Sequence, residues 1–104
     1  MGALSLETAL QRVRVHGELV RLTRAEFRVL ELLMRNSGKA VSRAELTRRA
    51  LGRRLVGLDR RVDTHISNLR RKLGVGAKVS TPILAIRGTG YMLGLPAEGN
   101  GRGD

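Results

Sequence analysis

The sequence predicts an α+β domain with an N-terminal antiparallel sheet, three helices and a C-terminal β-hairpin. Three observations lead there. A weakly alternating, β-branched stretch opens the chain; two capping boxes and a long amphipathic run follow; a short apolar run, Gly88-Thr89-Gly90 and Tyr91-Met92-Leu93 close it.

In the first stretch, Leu4-Ser5-Leu6, Val13-Arg14-Val15 and Glu18-Leu19-Val20 read as short strands, with His16-Gly17 as a turn. The first helix starts at the capping box Thr23-Arg24-Ala25-Glu26, with Leu22 and Phe27 placed as a hydrophobic staple. Phe27, Leu30, Leu33 and Met34 recur at helical spacing, and Ser37-Gly38 is the expected stop. Ser42-Arg43-Ala44-Glu45 repeats the box for a second helix, stapled by Val41 and Leu46, running to about Leu51 and ending at Gly52. A link over 52–58 precedes a third helix, expected over 59–73 with Asp59 as N-cap and Gly74 as stop. Val62, Ile66, Leu69 and Leu73 form its apolar stripe. Ile83-Leu84-Ala85-Ile86 and Tyr91-Met92-Leu93 are the hairpin strands around Gly88-Thr89-Gly90. Residues 1–96 are expected to form one domain and 97–104, rich in glycine, a disordered tail.

Charge points to the partner. Twenty Lys plus Arg against nine Asp plus Glu leave +11, an excess suited to a polyanion. Most of the positive charge is arginine, whose planar fork fits phosphates and the guanine edge. Ten basic and three acidic residues fall between Ser42 and Lys72, a local +7, which places the binding surface there. The absence of cysteine removes disulfides and thiolate metal sites. No apolar run approaches the roughly 20 residues of a membrane span, and the opening residues lack a signal-peptide plan, so a cytoplasmic location without membrane contact is expected.

On a helical wheel the face opposite the third helix's apolar stripe carries Arg60, Thr64, Ser67, Asn68 and Arg71, flanked by Arg61, His65 and Lys72. Long cations at its ends can reach phosphates, while short polar groups between them let the backbone approach base edges. Asn68 can pair bidentately with adenine, and Thr64 can offer a methyl or a hydroxyl. With a capped helix before it, this face makes a helix-turn-helix. A lone His65 on a helix flank is a hydrogen-bonding surface residue rather than a metal ligand, and no residue cluster has zinc spacing. Asp59 and Asp63 read as a cap and a dipole-favoured first turn rather than a catalytic pair. Gly88-Thr89-Gly90 lacks the lysine and strand-then-helix setting of a phosphate loop. No nucleophile-base set is visible, so neither an enzyme nor a cofactor is expected.

The runs Leu22–Leu33, Val41-Ser42-Arg43, Val62–Leu73 and Arg87–Tyr91, in this order and at these separations, resemble the OmpR/PhoB-type response-regulator effector domain. The likeness covers about residues 4–95, and residues 51–73 read most like the family's envelope-stress regulators. It implies a winged helix-turn-helix with a four-stranded N-terminal sheet, and sequence-specific binding of double-stranded DNA for transcription control. The third helix would lie in the major groove with Thr64 and Asn68 on bases; Arg60, Arg61, His65 and Ser67 would meet phosphates, joined by Arg43, Arg71 and Lys72. Arg87 would enter the minor groove from the hairpin, or wing. Implied partners are a second copy head-to-tail on a tandem direct repeat, RNA polymerase through the loop 52–58, and an upstream receiver domain with its sensor kinase, in the bacterial cytoplasm at the nucleoid. Two positions depart from the family pattern: Ala85 stands where a threonine is common and Met92 where a basic residue is common, which puts more weight on Arg87. The 104 residues cannot also hold a receiver, so an excised effector domain is expected rather than a receiver-less protein. The alternatives are a non-specific architectural nucleic-acid binder, which would bind unrelated duplexes equally, and a winged helix for protein contact, which would not need +11.

Overall fold

A computed structural model describes residues 4–15, 17–52, 60–73 and 83–94. The turn residue His16, the cap Asp59, the stop Gly74, most of the link 52–58 and the tail 97–104 lie outside the described residues.

Strands β1 (Leu4–Glu7), β2 (Arg12–Val15) and β3 (Glu18–Val20) form an antiparallel sheet in that order. Leu4 pairs with Val15, Leu6 with Val13 and Val13 with Val20, so one face gathers the apolar side chains. Leu4 and Val13 are fully buried by it. A 3-10 turn, Thr8–Leu10, joins β1 to β2 and ends at Gln11 in the left-handed region, φ 51°. The described residues thus hold three strands of the four that the resemblance implies.

Helix α1 (Arg24–Arg35) starts as its sequence dictates. The Glu26 amide donates to Thr23 Oγ1 at 3.1 Å and the Thr23 amide donates to Glu26 Oε1 at 2.9 Å, closing the capping box. The helix ends at Asn36, whose side chain donates to the Leu32 carbonyl at 2.8 Å. Gly38 follows at φ 84°, the left-handed residue expected there, and its amide donates to the Leu93 carbonyl at 3.0 Å. The turn after α1 is thereby tied to the last strand.

Helix α2 (Arg43–Leu51) shows half of its capping box. Ser42 Oγ accepts from the Glu45 amide at 3.0 Å, but the Glu45 carboxylate is taken up by Arg48 and Arg49 at 2.7 and 3.0 Å. Its stop is the expected one, with Gly52 left-handed at φ 70°. Helix α3 (Arg61–Leu73) begins two residues later than the sequence suggests. The Arg60 carbonyl accepts from the Thr64 amide at 2.9 Å, which puts Arg60 in the cap position. Val62, Ile66, Leu69 and Leu73 are buried as expected and pack with Leu30, Leu33 and Leu46. Each such side chain contributes about 1.5–3 kcal/mol relative to exposure.

Strands β5 (Ile83–Ile86) and β6 (Gly90–Leu93) make the expected hairpin, with two differences. The turn is Arg87-Gly88-Thr89, because Gly90 already pairs with Ile86. The Thr89 amide closes it on the Ile86 carbonyl at 2.9 Å, with Gly88 at φ 78°, the positive φ that a type II turn places there. The second difference is a two-residue strand, β4 (Val41–Ser42), which pairs with β6 and makes a three-stranded sheet, β4-β6-β5. This strand seats the hairpin against the start of α2.

Gly90 permits that seating. A Cβ there would strike the Val41 carbonyl oxygen and lie 2.8 Å from Ser42 Cα and 3.0 Å from the Arg43 nitrogen. All three are backbone atoms and cannot rotate away. Gly90→Ala is expected to destabilise the fold by about 1–3 kcal/mol, read as a lower midpoint in thermal or urea denaturation. Gly88→Ala meets no neighbour and carries only the cost of its positive φ.

Candidate nucleic-acid interface

The exposed face of α3 carries the side chains that the sequence singles out. Arg60, Arg61, Thr64, Ser67 and Arg71 are exposed, and Asn68 and His65 are half-buried. The Thr64 hydroxyl donates to the Arg60 carbonyl at 3.1 Å, so its methyl and lone pairs remain for a ligand. His65 Nδ1 is buried, with no hydrogen-bond partner among the described residues. Arg87 sits exposed in the wing turn, with no hydrogen bond or ion pair among the described residues.

What fixes the wing beside α3 is a set of contacts around Tyr91. Its hydroxyl donates to Asp63 Oδ1 at 2.6 Å. The Arg70 guanidinium lies 5.8 Å from the ring centroid and donates two hydrogen bonds, 2.9 and 3.0 Å, to the Ile83 carbonyl. Asp63 and Arg70 are seven residues apart, two helical turns, so they share a side of α3. One holds β6 and the other holds β5. Asp63 also receives Arg43 Nε at 3.2 Å and Arg43 Nη2 at 2.8 Å, which brings in the first residue of α2. Burial pushes the Asp63 carboxyl up. The hydrogen bonds from Arg43 and Tyr91 and the charges of Arg43 and Arg60 outweigh it and leave the group below its usual value of 3.8. Tyr91 moves up, through burial and then its bond to the Asp63 carboxylate.

Lys72 and Arg43, both expected phosphate contacts, have internal partners. Lys72 Nζ donates to Glu26 Oε1 at 2.6 Å, linking the end of α3 to the start of α1. Glu26 is 2 % exposed. Its burial raises the carboxyl, but Lys72 and the Thr23 amide prevail and lower it. Arg43 is on Asp63, with a third of its side chain still accessible. The sequence marked Glu26 only as a cap and Asp63 only as a first-turn acid; their distant partners, 46 and 20 residues away, have no local signal. The i, i+7 spacing of Asp63 and Arg70 was the one visible hint. An open groove of about 510 Å³ runs between residues 42–44 and the wing residues 85–91, beside these contacts.

The model of the transcriptional regulatory protein C-terminal family matches residues 17–93. The chain belongs to this family, the OmpR/PhoB-type effector domains. It is 42 % identical over 91 residues to the transcriptional regulatory protein CpxR of Klebsiella pneumoniae, covering 88 % of this chain and 39 % of that protein. RegX3 of Mycobacterium bovis, a sensory transduction protein, is 34 % identical over 92 residues, covering 88 % of this chain and 40 % of that protein. The chain therefore spans about two-fifths of the length of these relatives. The crystal structure of the CpxR DNA-binding domain from E. coli superposes with a TM-score of 0.85 at 38 % identity, covering 93 % of this chain and 95 % of that one. The RstA DNA-binding domain from Klebsiella pneumoniae, solved in complex with the RstA box, gives 0.77 at 32 % identity, covering 89 % and 92 %. The winged helix implied by the sequence is thus the fold of this effector domain, and CpxR is among the proteins it matches.

Glu26 and Asp63 set an acid limit on the fold. The folded state holds their protons less tightly than the unfolded chain does. Their contribution is therefore full above the ordinary carboxylate values, 4.5 and 3.8, and falls as pH drops below them through the lower folded-state values. Urea denaturation from pH 7 downward is expected to show stability falling below about pH 4.5. Glu26→Gln should lose about 1–3 kcal/mol at pH 7 and show a shallower acid slope.

Proposed function

We propose that this domain binds double-stranded DNA sequence-specifically to control transcription, as the effector part of a two-component response regulator. Helix α3 lies in the major groove, with Thr64 and Asn68 on base edges. Arg60, Arg61, His65, Ser67 and Arg71 hold the phosphate backbone, and Arg43 adds its accessible third. Lys72 is left out of this set because its ammonium neutralises a buried carboxylate. Arg87 enters the adjacent minor groove.

The observation that carries this reading is the composition of one exposed face. Short, uncharged Thr64, Ser67 and Asn68 stand between arginines at both ends, and a further exposed arginine is held alongside on the wing. A surface that only neutralised phosphates would gain from lysine or arginine at the centre, so the architectural alternative is disfavoured. Relatives support it: AdeR and RstA DNA-binding domains were crystallised with an intercistronic region and with the RstA box. The family is one of transcriptional regulators, and we read the domain as a DNA binder rather than an enzyme.

Family membership extends the proposal to partners. Two copies bind a tandem direct repeat head-to-tail, the link 52–58 faces RNA polymerase, and a receiver domain driven by a sensor kinase acts upstream in the bacterial cytoplasm, at the nucleoid. None of the described helices is long and apolar enough to cross a membrane.

Selection from a random duplex pool near physiological salt is expected to enrich a direct repeat with centres about 10–11 base pairs apart. A bound pool with no enriched motif would establish the non-specific binder instead. On the enriched duplex, Asn68→Ala should cost about 1–3 kcal/mol and relax one base position. Arg87→Ala should weaken binding and reduce the salt slope by about one.

A further inference from the structure

The three elements that would touch DNA meet at one carboxylate. Asp63 is in the first turn of α3, beside Thr64; its partners are Arg43 at the start of α2 and Tyr91 on β6. Tyr91 pairs with Val41 on one side and Ala85 on the other, so it lies where the wing is rooted. Arg87 is two residues beyond Ala85, roughly 7 Å further along the hairpin. A pivot of about ten degrees at Tyr91 would displace that tip by more than about 1 Å, beyond the roughly 0.5 Å tolerance of a preorganised contact. Strand β4 pairs only with Tyr91 and Gly90, so beyond that root the hairpin is a two-stranded ribbon, whose twist backbone pairing leaves variable. The side-chain contacts across to α3 must therefore set the angle. Of these, the Tyr91–Asp63 hydrogen bond is short and charge-assisted, and its acceptor is also held by Arg43.

We infer that Asp63 and Tyr91 are positioning residues, whose hydrogen bond sets the wing angle so that Arg87 engages the minor groove while Thr64 and Asn68 read the major groove. This rests on the DNA-binding reading above. Neither residue touches DNA; both act through Arg87.

The test is a double-mutant cycle in the 104-residue chain. Binding is measured for the wild type, Tyr91→Phe, Arg87→Ala and the double variant, on the most enriched duplex of the selection or, failing enrichment, on a fixed mixed-sequence duplex of about 30 base pairs. Tyr91→Phe keeps the ring under Arg70 and leaves Asp63 paired with Arg43. It should weaken binding about five-fold and flatten the salt slope as Arg87→Ala does. Arg87→Ala should cost about ten-fold in the wild type and less than about two-fold in the Tyr91→Phe background. Asp63→Asn, the second variant, should shrink the Arg87 increment in the same direction. An undiminished Arg87 increment in both backgrounds, with only the melting temperature lowered, would overturn the positioning role and leave the interface standing. No loss on Arg87→Ala in the wild type would remove the wing contact itself, and the positioning role with it.

Discussion

The contact between Asp63 and its two partners is the constraint on which the geometry of this domain turns. A winged helix has to present a helix and a hairpin to one ligand, yet its backbone leaves the angle between them loosely defined. Here one carboxylate accepts from Arg43 on α2 and from Tyr91 on β6. Seven residues along α3, Arg70 grips the other wing strand at the Ile83 carbonyl. Gly90 then allows β6 to lie directly on the backbone at the start of α2. Main-chain pairing supplies proximity, and side-chain hydrogen bonds supply angle.

The same economy explains how so basic a chain stays folded. Arginines are placed against the available carboxylates: Arg12 and Arg14 on Glu7, Arg35 on Glu31, Arg48 and Arg49 on Glu45. Each of these exposed pairs is screened by water and contributes little to stability. Their use is to lower repulsion away from α3. The more buried pairs, Arg43–Asp63 between α2 and α3 and Lys72–Glu26 between α3 and α1, matter more, since removing one partner strands the other. Arg60 and Arg71 at α3 and Arg87 on the wing are exposed and in none of these pairs, and they are what a phosphate backbone would see there.

Much of this was readable from local rules. Thr23 and Glu26 announced α1, Ser42 and Gly52 bracketed α2, and the Val62-Ile66-Leu69-Leu73 stripe oriented α3, because caps and periodicity depend only on near neighbours. The polar face follows from the stripe, since a helix with one side buried exposes the other. The misjudged details were choices between competing partners and element boundaries. Glu45 left its capping box for Arg48 and Arg49, the turn shifted so that Arg87 lies within it, and α3 began at Arg61 rather than Asp59.

The amino-acid sequence by itself determined the order of sheet, helices and hairpin, the family, and which side chains of α3 point away from the core. Only the tertiary structure decided which cations are available. It took Lys72 for Glu26, left Arg43 only partly accessible beside Asp63, added the strand Val41–Ser42 to the wing, and made Tyr91 the joint between wing and helix. The reason is that helical and strand periodicity are properties of residues a few positions apart, whereas an ion pair spanning 20 or 46 residues exists only once the chain has closed the loop between its partners.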